Sequence, residues 1–285
     1  MKIPILSAAI LASAAGVLLA PSARAQDVSY TPGDLLLGFE KPGASNNYVV
    51  DLGPATEFIT LSNGPGITNL TTTLGLGNIA TDLASSSGFG SSWNTTAALG
   101  SNVQWGVFGA IGDFGAIGLQ PDTLFLTRAE TTPGTRSTAP SEGNSSSQGN
   151  QVAAFTPLAE SGFNNQTETA NSTVAAFIPS SSAVSWTAND PSFGAFTLGY
   201  GIEQSQSASD TYIGPTNSEL DLYELIPTDE GGTGTAKDLG SLTLNASGDL
   251  DFTSAVPEPS TYATIGLGAA LLLLFRRSAK RIQRA

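Results

Sequence analysis

Carboxylates are the groups through which this sequence can do acid–base chemistry, because its 285 residues include no Cys and no His. That composition removes thiol nucleophiles, Ser-His-Asp triads, His-based metal sites and disulfides. A glycoside hydrolase needs only two carboxyls, held about 5 Å or about 6.5–9.5 Å apart. The candidates are Glu219, Asp221 and Glu224, and separately Asp249 and Asp251. On a strand Glu219 and Asp221 share a face, as do the acids of an ordinary solvated strand. With 24 acidic residues in the chain, some pairs reach useful spacing by number alone. No catalytic residue is assigned, and the chain is expected not to be an enzyme.

Two other kinds of ligand remain open to it. Trp93, Trp105, Trp186, Tyr200 and Tyr212 are aromatics of the type that stack on sugars, with abundant Asn and Asp to bond hydroxyls. Trp105 sits in the apolar run Val103 to Phe108, where an aromatic is read as core. Calcium takes oxygen ligands alone, so it is the metal this composition leaves possible. Asp249 and Asp251 flank no Gly-rich twelve-residue loop closed by Glu, and Asp229-Glu230-Gly231-Gly232 lacks a third ligand. No metal ligand and no cofactor is assigned.

The charge distribution excludes one class of partner. Between Gln26 and Pro259 the chain carries all 24 acidic residues against Lys41, Arg128, Arg136 and Lys237, a net of −20. A body of that charge repels nucleic acid and anionic lipid heads.

The elements that would position these residues are short strands. Leu35-Leu36-Leu37-Gly38-Phe39 and Tyr48-Val49-Val50-Asp51-Leu52 flank a Pro, Gly, Ser and Asn-rich stretch and read as a hairpin. Val103 to Ile111, Asp122 to Arg128, Phe193 to Gly201 and Leu220 to Ile226 are further strand candidates. Leu242 and Leu244 alternate with Thr243, and Leu250 and Phe252 with Asp251, across the turn Asn245 to Asp249. Period-two alternation on both arms predicts a hairpin with those four apolar side chains on one buried face. Asn78 to Ser86 reads as a short amphipathic helix, and Asn150 to Ser161 as a weaker one. Residues 130–150, rich in Ser, Gly and Asn, read as a flexible loop. The expected fold is mainly β: a single β-sandwich or jelly-roll-like body over 26–255, with one or two short helices and one continuous core.

Both ends differ from this body. Lys2 precedes an apolar stretch from Ile3 to Ala20, and Ala23-Arg24-Ala25 offers the small residues that signal peptidase reads. That layout predicts a secretory signal peptide over 1–25. At the other end Pro257-Glu258-Pro259 is followed by an uncharged run from Tyr262 to Phe275 and then by Arg276, Arg277, Lys280, Arg281 and Arg284. Two prolines hold an extended segment around one carboxylate, accessible to a processing enzyme. The 14-residue run reaches about 21 Å as a helix, against a hydrocarbon core of ~30 Å. It is expected to serve as the precursor's transmembrane helix with local thinning or snorkelling, and the basic tail to stay in the cytoplasm.

This end resembles the PEP-CTERM sorting signal of exosortase-processed proteins in Gram-negative bacteria, with the tripeptide, the short helix containing Gly266 and Gly268, and the Arg cluster in order. The resemblance implies cutting near Pro257-Glu258-Pro259 by an exosortase-type membrane protease, and delivery to the cell surface or extracellular matrix. The resulting expectation is an exported, non-catalytic surface protein, single-pass in the membrane as precursor. The alternative is a carbohydrate-binding module meeting extracellular polysaccharide, with a glycoside hydrolase third.

Overall fold

The computed structural model describes residues 28–41, 43–64, 66–93, 103–112, 119–130, 134–137, 139, 145–164, 166–186, 219–228 and 235–255. In chain order the elements are β1 (Asp34–Glu40), β2 (Asn46–Pro54), α1 (Ala55–Ser62), β3 (Ile67–Asn69), α2 (Leu70–Thr73), α3 (Ile79–Ala84), β4 (Gln104–Ala110), β5 (Leu124–Ala129), α4 (Ser145–Phe163), β6 (Glu168–Thr169), β7 (Ser172–Pro179), β8 (Glu219–Ile226), β9 (Thr235–Leu244) and β10 (Leu250–Ser254). The strand candidate Phe193 to Gly201 lies outside the described residues, as do both terminal signals.

The class is mainly β, as the alternation indicated. All ten strands join one antiparallel sheet, in the order β3-β10-β9-β8-β5-β4-β1-β2-β7-β6, in place of two facing sheets. The sheet is curled. Phe58 of α1 meets Phe252 of β10 edge-on with ring centroids 5.7 Å apart. Six strand steps separate β10 from β2, which leads directly into α1, and a flat sheet would hold those strands roughly 29 Å apart. Curling also brings α3 against turns at opposite ends of the strand order. Asn78 N–H bonds the carbonyl of Asn171 between β6 and β7, while a Cβ on Gly248, before β10, would lie 2.6 Å from the Ala80 Cβ.

A curled sheet has an inside and an outside, and both are covered, so there are two apolar clusters where one continuous core was expected. The inner one packs Leu37, Phe39, Tyr48, Val107, Phe125 and Leu242 against Phe58 of α1, Leu70 of α2 and Ile79 and Leu83 of α3. The outer one packs Leu36, Val49, Phe108 and Leu126 against Val152, Ala159 and Phe163 of α4, with Trp186. Strands buried on both faces read as unbroken apolar runs, which is why Leu35-Leu36-Leu37 shows no alternation. On the outer face Gly38 makes room for an indole. A Cβ there would fall 2.0 Å from the Trp186 ring.

The hairpin β9–β10 has the predicted register: Leu250 opposes Leu244 and Phe252 opposes Leu242, all four buried. The hairpin β1–β2 pairs Leu37 with Val50 and Phe39 with Tyr48. The predicted helix at Asn78 is α3, with the Asn78 side chain accepting from Thr81 N–H at 2.9 Å. Buried Asp82 ties α3 down by accepting from Tyr48 Oη, Thr169 Oγ1 and Asn171 Nδ2.

Helices exceed the expected one or two. α1 and α2 are short and follow strands directly. α4 starts at Ser145, so the last six residues of the 130–150 segment are helical. Gly149 and Pro157 lower its intrinsic propensity, and tertiary contacts compensate. Buried Gln148 donates to the carbonyls of Asp122 and Leu225, both at 2.9 Å.

Candidate functional site

The carboxylates that the sequence offered for chemistry do meet, but around a segment read as a free loop. Glu219, Asp221 and Tyr223 project from one face of β8, two residues apart. Residues 134–137 lie across that face as a strap. Arg136 Nη1 is 2.6 Å from Asp221 Oδ1, and Ser137 N–H donates to Asp221 Oδ2 at 2.5 Å. Gly134 N–H donates to Glu219 Oε2 at 3.1 Å, while the Ser241 hydroxyl donates to Glu219 Oε1. Tyr223 Oη donates to the Ser137 carbonyl at 2.7 Å. Glu130 lies buried at the head of the strap and accepts from Thr135 N–H at 3.1 Å. Asp238 of β9 stands 3.5 Å from Arg136 Nε.

One guanidinium thus faces three carboxyls, those of Asp221, Asp238 and Glu130. Burial pushes Glu130 up to about 7, helped by its hydrogen bond to Asp221 and the charges of Asp221 and Glu219. Asp238 is also raised by burial, against the pull of Arg136. Chemically the arrangement is a latch. Asp221 has no exposed surface, and both its oxygens are bonded to the strap.

The remaining candidates scatter. Glu224 lies on the opposite face of β8, raised by burial and 3.9 Å from Lys237. Asp249 accepts from Asn245 Nδ2, and Asp251 from Asn69 Nδ2, both at 3.0 Å. The Asp229-Glu230-Gly231-Gly232 loop lies outside the described residues. Among the described residues no group of three or more acidic side chains is placed to hold a metal ion. Trp93, Trp105 and Trp186 are buried, at 3–5% exposure, so none offers a stacking platform. Tyr200 and Tyr212 lie outside the described residues.

Two features were not anticipated from the sequence. The first is Arg136, the sole cation between Glu130 and Asn150, whose isolation was the available signal. The second is a cleft of about 720 Å³ where the end of β2 meets α1, α2 and β7. Its polar lining includes Asp51, Thr56, Glu57, Thr60 and Thr73, and its apolar lining Leu61, Leu74 and Val174. Asp51 accepts from Gly53 N–H at 2.7 Å, and burial pushes its carboxyl up to about 7.

The chain leaves this body at β10. Ser254 N–H bonds the Gly66 carbonyl and Ala255 N–H the Leu239 carbonyl, both at 3.2 Å. Ala255 is the last described residue, two positions before Pro257. The molecule is therefore an antiparallel β body carrying a C-terminal extension that starts where the sheet stops.

Residues 255–278 match the PEP-CTERM protein-sorting motif, which takes in Pro257, Glu258 and Pro259, the apolar run, Arg276 and Arg277. This is an exported protein sorted by exosortase at the cell surface. No curated protein and no solved structure matches the chain. The sorting residues themselves, with Lys280, Arg281 and Arg284 beyond the match, lie outside the described residues, as do Ala23 and Ala25. Among the described residues no helix is long and apolar enough to cross a membrane.

Proposed function

We propose that the chain is a non-catalytic protein of the cell surface or extracellular matrix. The N-terminal signal is removed after Ala25, the precursor is held in the membrane by Tyr262 to Phe275, and the body is released by cutting near Pro257-Glu258-Pro259. The observation that carries this reading is the sorting motif directly after the last strand of a folded acidic body. The non-catalytic part is supported by the engagement of Glu219 and Asp221 in holding the strap. Replacing Pro257, Glu258 and Pro259 together by Ala tests it. Export should continue, while the protein stays in the membrane fraction at precursor length. Normal release of that variant would refute the processing step.

A carbohydrate-binding role is the second reading. The cleft beside α1 favours it, whereas the buried tryptophans do not.

A further inference from the structure

We infer that the cleft between α1, the end of β2, α2 and β7 is a binding site for a short segment of neutral glycan. This rests on the second reading above and supplies its site and ligand class. The volume, about 720 Å³, lies within the range of small-ligand pockets. Thr56 and Thr60 stand one turn apart on α1, away from the face that buries Ala55 and Phe58. Thr60 Oγ1 donates to the Thr56 carbonyl at 2.8 Å, so its lone pairs remain to accept from a ligand hydroxyl. Thr73 adds a third hydroxyl from α2. The threonine methyls with Leu61, Leu74 and Val174 provide apolar surface between these polar points. Hydroxyls alternating with C–H surface is the pattern of a sugar ring.

Charge selects among sugars. Among the described residues the cleft is lined by Asp51 and Glu57 and by no Lys or Arg, a lining that repels uronate and sulfate groups. The wider body, with 23 acids and four bases, repels an anionic polymer as well. Asp51, whose carboxyl titrates at about 7, keeps a share of the protonated form near neutrality and can donate to a ligand oxygen. Among the described residues no tryptophan lines the cleft, so hydrogen bonds rather than stacking would carry the affinity.

The test uses isotope-labelled protein recovered from the cell surface, with cellotriose, xylotriose and maltotriose as neutral probes. Trigalacturonate and spermidine are the charged controls. At least one neutral probe should shift backbone amide signals of Gly53, Thr56, Glu57, Thr60 and Leu74 as a group. The double variant Thr56→Val and Thr60→Val keeps side-chain shape and should weaken that binding about tenfold, the equivalent of one lost hydrogen bond. Its melting temperature should stay near wild type, which separates lost binding from lost fold. Silence from all three neutral probes would overturn the inference. So would shifts confined to other elements, equal binding of trigalacturonate, or a preference for spermidine. None of these outcomes bears on sorting, which is read from location and length.

Discussion

The body and its C-terminal extension are opposites in composition. Residues 26–255 carry 23 acids and four bases, whereas residues 256–285 carry Glu258 against five bases. The ion pairs among the described residues stay inside the body: Arg136 with Asp221 and Asp238, and Lys237 with Glu224. The cations of the extension act instead, on the proposed function, as a topology signal that holds the C-terminus on the cytoplasmic side. The difference teaches that fold and sorting are separable functions of one chain. On the proposed function, one region is specified by contacts to itself and the other by what it presents to a membrane and a protease.

That separation can be broken from either side. The largest effect should come from deleting Arg276 to Ala285, which removes the positive-inside bias. Fractionation should then find the protein mis-sorted, while recovered protein melts at the wild-type temperature. A lowered melting temperature would show that the extension contributes to the fold.

The converse variant is Phe252→Ala, which empties the inner cluster against Phe58 without touching the signal. It should cost about 3–5 kcal/mol in denaturant unfolding. Molecules that do fold should be processed at the normal bond.

Arg136→Ala is smaller, because its side chain is a third exposed and the Ser137 N–H still bonds the buried Asp221 that it leaves behind. About 1–3 kcal/mol is expected. Protease susceptibility near residues 134–137 should rise as the strap loosens.

The last effect is a pH slope. Glu130 and Asp51 hold protons up to about 7 in the fold, against ordinary values of 4.5 and 3.8. The folded state therefore binds more protons than the unfolded chain between those limits, so stability falls as pH rises from about 5 toward 7. Thermal melts should give a higher midpoint at pH 5 than at pH 7.5. Glu130→Gln should flatten part of that slope, and an unchanged slope would remove Glu130 from the account.

How much of this was legible in the sequence depended on distance along the chain. The β9–β10 hairpin was readable because Leu242, Leu244, Leu250 and Phe252 alternate with polar residues across a five-residue turn. α3 was readable from its own spacing and Asn78. α1 was missed because Ile59 and its threonines favour strands and it follows β2 without a break. The strap was missed because Arg136 and Asp221 are 85 residues apart, and no local pattern encodes such a pair. Glu219 and Asp221 were rightly placed on one face, but what covers that face is set by the tertiary fold. The cleft draws on β2, α1, α2 and β7, so its lining, from Asp51 to Val174, never appears together in the sequence. The sorting motif, by contrast, is contiguous, so its tripeptide, apolar run and basic cluster can be read in order along the chain.

The central claim is a folded body detached from a disposable address, and the C-terminal peptide of the protein recovered from the native cell surface tests it most directly. Mass spectrometry should find a terminus at or near Pro257-Glu258-Pro259, with the chain through Ala255 intact and the apolar run absent. Surface-recovered protein that still ends at Ala285 would contradict the account and leave the extension as a permanent anchor.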